Sequence, residues 1–298
     1  MKEIRKILLY LIGTVLLGAL LAPWLFWLAK WGAARTQWSF LVGADFAQIF
    51  DRAVLIAAVV LLWPTFRSLH IRGTAQLGIE RDPHRWRNFR IGLTTGIVCM
   101  AAYGGLLLWL EVYRLKTSLP WTALIKIAFS AVTVAFLEEW LFRGVILGLF
   151  RRTLLDLPAV FCVSALFSII HFVKPPSAEN VQIDWLTGFL VLPSCFEKFA
   201  DPMLLAAGFS TLFLLGWVLG WATLRTRALW LPIGLHAGLV FAKFSFSKLT
   251  KRSIDETMPW LGGDIIVGLG ALTVVATAWL VAALWMNYAD SRARKARW

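Results

Sequence analysis

Glu138, Glu139 and Arg143 stand inside an apolar run, His171 closes a second such run, and His236 sits midway along a third. A charge at mid-membrane costs about 2.5–3.5 kcal/mol on insertion scales, so such residues usually face a bundle interior and serve a purpose there. Glu139 and Arg143 are four apart, on one helical face, and can pair. Glu138 points about 100° away around the helix, outside that local pair, where a carboxylate can serve as a general base. Of the four histidines, His70 and His84 lie in a basic connection, and the other two are both in apolar runs. A lone histidine in a span is more often a helix-packing hydrogen bonder. Two, together with Glu138, are harder to explain by packing. Glu138, His171 and His236 could also form a zinc ligand set, although no H-E-x-x-H motif is present.

The elements that carry these residues must be membrane helices. Of the 298 residues 59% are hydrophobic and only 16% charged, with mean hydropathy +0.71, against roughly 45–50% and about 25% in soluble domains. About 20 apolar residues cross the hydrocarbon core. Runs of that kind fall at 7–29, 52–68, 91–113, 122–150, 155–173, 203–224, 228–246 and 263–286. The expected fold is all-α: a polytopic transmembrane bundle of about eight spans in a single membrane domain, 1–298. The stretch from 174 to 202 is too apolar for a plain loop and too short to span, so an interfacial or re-entrant segment is expected between spans five and six. The first run continues to Leu28, longer than a signal-peptide core, so it reads as an uncleaved anchor.

Charge sets the orientation and narrows the function. The net charge is +13, but the basic residues lie in short connections. The largest group, Arg67, Arg72, Arg81, Arg85, Arg87 and Arg90, runs from the end of span two to the start of span three. That placement fits the positive-inside rule, with both termini cytoplasmic, and not a nucleic-acid surface. A short multispan chain of this kind suits a bacterial inner membrane. Cys99, Cys162 and Cys195 form no C-x-x-C pair and suggest neither a disulfide framework nor a zinc ribbon. Depth favours a common site: Glu138 lies 14 residues before Arg152, and His171 15 after Asp156. At 1.5 Å per residue both stand about 21–23 Å from a turn at 153–155. The corresponding figure for His236, 8 residues after Ala228, is about 12 Å.

Three motifs carry a resemblance to a known family. Glu138-Glu139-Trp140-Leu141-Phe142-Arg143 has the form E-E-x-x-x-R, Phe167 to His171 the form F-x-x-x-H, and Leu231 to Ala237 leads into a third motif centred on His236. In this order, each in its own apolar run, they resemble the CPBP intramembrane proteases, which include the type II CAAX prenyl endopeptidases and bacteriocin-processing or immunity proteins. The resemblance covers 119–246 as the catalytic core. It implies that Glu138, with His171, activates a water to attack a peptide carbonyl, and that His236 donates to the oxyanion. Glu139 and Arg143 would hold the helix, and Phe167 would pack the site. The family's third motif usually ends in Asn; here that position is Val240, which has no hydrogen bond to offer.

The function expected is an intramembrane endopeptidase of the glutamic type, needing no cofactor, acting on a membrane-associated peptide or protein; nothing in the sequence requires a prenyl group. A zinc-dependent metalloprotease using Glu138, His171 and His236 is the alternative chemistry. A non-proteolytic scaffold or immunity protein is the alternative function, favoured by Val240. A transporter is weaker, because no paired, Gly/Pro-broken segments of the inverted-repeat kind are seen.

Overall fold

The computed structural model describes residues 2–36, 45–117, 121–173, 182–253 and 268–295. The helices are α1 (Lys2–Thr36), α2 (Phe46–Ser68), α3 (Arg85–Trp109), α4 (Trp121–Glu139), α5 (Leu147–Phe150), α6 (Asp156–Phe172), α7 (Thr187–Leu190), α8 (Pro202–Thr226), α9 (Trp230–Leu249) and α10 (Leu269–Lys295). A π-helical turn, Trp140–Ile146, joins α4 to α5. Each of the eight apolar runs is therefore mainly helical within the described residues, and the chain is an all-α polytopic membrane protein. Among the described residues, six segments are long and apolar enough to cross a membrane. α6 is apolar but only 17 residues long. α9 is not among the six; Leu231 to Leu239 are all buried by protein, so this helix has little need of a lipid-like surface. Large exposed tryptophans near helix ends, such as Trp63, Trp86, Trp109 and Trp121, suit a membrane–water interface.

The chain divides into two compact units, 1–73 with 169–205, and 74–168 with 206–298. In the first, α1 and α2 pack closely. A Cβ at Gly18 would stand 2.7 Å from Val54 Cα, and the buried Tyr10 hydroxyl donates to the Ala58 carbonyl at 3.1 Å. The region expected to lie at the interface contains α7 and a 3-10 turn, Ser194–Ala200; residues 174–181 lie outside the described residues. Gly188 of α7 abuts the Ala19 carbonyl, where no side chain fits.

In the second unit α9 is central. Its Leu235, Leu239 and Ala242 share a core with Met100, Tyr103 and Leu107 of α3, Val218 and Leu219 of α8, and Val274, Val275 and Ala278 of α10. Glycine lets α9 and α3 meet backbone to backbone, the small-xxx-small device of membrane helices. A Cβ at Gly92 would stand 2.6 Å from Leu235 N, and one at Gly96 2.6 Å from Leu235 O. From the other helix, Gly234 and Gly238 abut the Phe89 and Leu93 carbonyls. Gly234 and Gly238 each lie two residues from His236, about 200° around the helix. The glycine face thus turns His236 away from α3. Beyond the helices, Tyr113–Leu115 (β1) pairs antiparallel with Thr250–Arg252 (β2), tying the end of α3 to the end of α9. This ribbon was not expected from the apolar pattern, because three-residue strands leave no periodic signal.

Gly238→Leu should therefore cost about 3 kcal/mol or more, at or above the upper end of ordinary overpacking, whereas Gly105→Ala, with open space around it, should stay within about 0.5 kcal/mol. Thermal unfolding of the purified chain in detergent measures both. Equal stability of the two variants would contradict the close helix contact.

Candidate active site

The site grows from the junction of α4 and the π turn. Glu139 is the last residue of α4, and the Leu147 N–H reaches back to the Phe142 carbonyl, five residues away, marking the wider turn. π turns are rare and concentrate at functional sites. Here the turn holds Leu141 to Ile146, all buried, with Arg143 at its centre. The apolar pattern led to one uninterrupted helix over 122–150; the π turn leaves no mark in that pattern.

Glu139 and Arg143 are wholly removed from solvent, both side chains at 0% exposure, and Arg143 Nη1 donates to Glu139 Oε1 at 2.8 Å. Arg143 Nη2 also donates to the Gly216 carbonyl on α8 at 3.3 Å. Its guanidinium lies 4.4 Å from the Phe167 ring centroid, a cation–π contact strengthened by desolvation. Gly216 serves twice: its carbonyl accepts, and its missing side chain lets α6 approach, since a Cβ there would stand 2.9 Å from Ser164 Cα.

His236 enters from α9. Its Nδ1 is 2.8 Å from the same Glu139 Oε1. One carboxylate oxygen thus faces both Arg143 and His236. Glu139 Oε2 and Arg143 Nε are buried with no hydrogen-bond partner among the described residues. With Glu139 ionised, the Nδ1–H donates and the ring is held in one orientation, its Nε2 directed elsewhere. Phe167, itself fully buried, packs edge-on against His236 with centroids 6.2 Å apart and against Phe142 at 5.1 Å.

Glu138 differs from its neighbour. Its side chain keeps 22% exposure, and its Oε2 lies 3.9 Å from His236 Nε2, longer than a direct hydrogen bond. The arrangement separates roles: one carboxylate is sealed in the bundle, the other keeps partial exposure, with its buried Oε2 turned to an imidazole nitrogen. Val240, one turn beyond His236, is half-buried.

Glu138, Glu139, Arg143, Phe167 and His236 are thus brought together within the second unit. His171 occupies the last turn of α6, is half-buried, and falls in the first unit. Among the described residues no group of three or more His, Cys, Asp or Glu side chains is arranged to hold a metal ion, and no step below is routed through one. Two partners escaped the sequence reading: the Gly216 carbonyl, and Glu139 as the acceptor for His236. The G-x-x-x-G spacings at Gly216/Gly220 and Gly234/Gly238 are the signal that could have located both close contacts.

Residues 120–242 match the family model described as type II CAAX prenyl endopeptidase Rce1-like. No curated protein matches the chain.

Glu139→Gln should destabilise the fold by about 3–5 kcal/mol, because it leaves a buried guanidinium without its counter-charge. Glu138→Gln, at a partly exposed carboxylate, should have little effect. Thermal unfolding of both variants in one detergent decides. Greater destabilisation from Glu138→Gln would mean that the two roles are exchanged.

Proposed function

We propose that this chain, whose residues 120–242 match the Rce1-like type II CAAX prenyl endopeptidase family model, is an intramembrane endopeptidase that hydrolyses a membrane-associated peptide with a Glu/His-activated water. The observation that carries the reading is the contrast between Glu139, sealed and doubly engaged, and Glu138, partly exposed 3.9 Å from His236 Nε2.

Glu138 takes a proton from water as the water oxygen bonds to the scissile carbonyl carbon. The carbonyl oxygen becomes an oxyanion. Collapse of this intermediate breaks the C–N bond, and the leaving nitrogen takes the proton back from Glu138, giving a carboxylate and an amine. The resemblance gives His171 a base-side role through its F-x-x-x-H motif. His236 serves the oxyanion. With Nδ1–H committed to Glu139, Nε2 donates only when the ring is doubly protonated, and such a charge-assisted bond is roughly twice as strong as a neutral one. That extra strength is what the site needs, because Val240 supplies no amide where the family usually has Asn. In this reading the protein needs no metal, and both ends and the basic connection around Arg72 and Arg81 face the cytoplasm of a bacterial inner membrane. The same Val240 favours the second reading, a scaffold or immunity protein of the same fold.

Glu138→Gln should lower the cleavage rate by about 10²–10⁴-fold, and His236→Ala should remove most of it. Val240→Ala should stay within about threefold, since no donor is lost, and chelator should leave the wild-type rate unchanged. Initial rates in proteoliposomes, normalised to folded protein, provide the measurement. Equal rates for wild type and Glu138→Gln would sink the catalytic reading. Chelator-sensitive activity restored by Zn²⁺ would favour a metalloenzyme, and no cleavage by any variant would favour the scaffold.

Topology is tested separately. In a cysteine-free background, single cysteines placed at Gly73 and Ser291 should resist an impermeant maleimide added from the periplasmic side. Labelling of either one would reverse the orientation.

A further inference from the structure

The β1–β2 ribbon, where α3 and α9 end, carries charge of one sign. Residues 111–117 and 248–253 hold Arg114, Lys116, Lys248, Lys251 and Arg252 against a single acid, Glu111. The strand register sets Arg114 directly opposite Lys251. Like charges directly opposite one another destabilise a strand pair, and a two-stranded ribbon has little stability to spare. Glu111 relieves this only weakly. It meets Arg114 at 3.4 Å with both side chains exposed, and exposed pairs contribute little. Alternation along the strands fixes where the charge points. Tyr113 packs edge-on against Phe246 of α9, with ring centroids 5.1 Å apart, and Thr250, on the same face of the ribbon, is buried. That face rests on the helices. Arg114 and Lys251, both exposed, stand on the other face and point away from them. Lys116 extends the pairing: its N–H donates to the Leu249 carbonyl, and its ammonium donates to the Lys248 carbonyl, both at 2.9 Å. Lys248 is itself exposed.

α3 starts beside the basic connection read as cytoplasmic, so its other end and the ribbon belong to the outer side. There the positive-inside rule disfavours lysine and arginine in short connections. A cationic face kept in that place calls for an anionic partner, and its orientation decides which. Lipid headgroups lie beside the helix ends, whereas this face looks away from the helices, toward the aqueous side. The ribbon is also continuous with the helix that carries His236. Leu249 stands 13 residues beyond it, about 20 Å along the axis, a distance that about six residues of extended chain cover at 3.3 Å each. Resting on the endopeptidase reading, we propose that the ribbon docks an acidic segment of the substrate that lies outside the membrane, about six or more residues from the cleaved bond. This assigns the substrate class as membrane-associated chains with an Asp- or Glu-rich flank on the outer side. The ribbon sets affinity and takes no part in bond breaking.

The test uses the full chain in phosphatidylcholine nanodiscs and a rhodamine-labelled soluble peptide of alternating glutamate and serine, with a glutamine–serine peptide as its neutral counterpart. By fluorescence polarisation at low salt, wild type should bind the glutamate peptide at least about tenfold more tightly, the gain of about one charge-assisted contact, and added salt should shrink the difference. Lys248→Glu combined with Lys251→Glu should bring the ratio close to one. Arg81→Glu, at an exposed arginine just before the start of α3, should leave it unchanged. Equal binding of the two peptides by wild type, or an undiminished ratio in the double variant, would overturn the proposal. So would glutamate-peptide binding that emerges only when Asp255→Asn and Glu256→Gln are introduced, because the chain's own acids would then occupy the ribbon. If the double variant loses only stabilisation by added phosphatidylglycerol, the ribbon serves lipid headgroups and the proposal fails. A second arm compares proteoliposome cleavage of one membrane substrate with a glutamate or a glutamine flank. Wild type should favour the glutamate flank through KM, and the double variant should not. Equal KM values in wild type would refute the substrate role and leave the protease reading intact. Absence of cleavage of either substrate would sink the protease reading, and the peptide-binding ratio would still decide whether the ribbon takes an acidic segment.

Discussion

The second unit depends on one oxygen atom. Glu139 Oε1 lies 2.8 Å from both Arg143 Nη1 and His236 Nδ1, in a place almost closed to solvent. A buried guanidinium costs several kcal/mol in lost hydration, and it is tolerable only with an opposite charge and good hydrogen bonds close by. Arg143 finds these in Glu139, in the Gly216 carbonyl and on the face of Phe167. Two of these come from other helices, so the charge can be satisfied only when the π turn, α6 and α8 are in register. Buried pairs of this kind are weak sources of stability; here the pair fixes geometry, and what it fixes most directly is the imidazole of His236.

Backbone chemistry makes that convergence possible. Glycines at 92, 96, 234 and 238 bring α3 and α9 within a distance that no side chain permits. The ladder sets the rotation of α9, so the histidine two residues from each of its α9 glycines must face the other way. The π turn does the equivalent task on α4. It begins directly after two adjacent carboxylates and buries Arg143, and the helical offset between Glu138 and Glu139 leaves one at the edge and one in the interior. A difference of one position in sequence thereby becomes a difference in chemistry.

Much of this was legible from residue types. The apolar runs gave the helices, and the four-residue spacing of Glu139 and Arg143 gave their pair. The out-of-place charges and histidines marked α4, α6 and α9. What escaped has physical reasons. Helix ends ran beyond the apolar runs, as at Phe46 and Arg85, because polar residues at the interface remain helical. The π turn and the β1–β2 ribbon depend on tertiary packing and leave no periodicity. The second bond to Glu139 spans 97 residues, and no local spacing rule reaches that far.

The most direct test of this account is the tautomer of His236. Nitrogen-15 NMR of histidine-labelled, full-length protein in lipid contains four imidazoles, and the His236 signal is assigned by its disappearance in His236→Gln. If Glu139 holds the ring, Nδ1 carries a hydrogen-bonded proton in the wild type, and that bonded signature disappears in a folded Glu139→Gln sample. A neutral ring with the proton on Nε2 and a bare Nδ1, unchanged by the Glu139 substitution, would contradict the account.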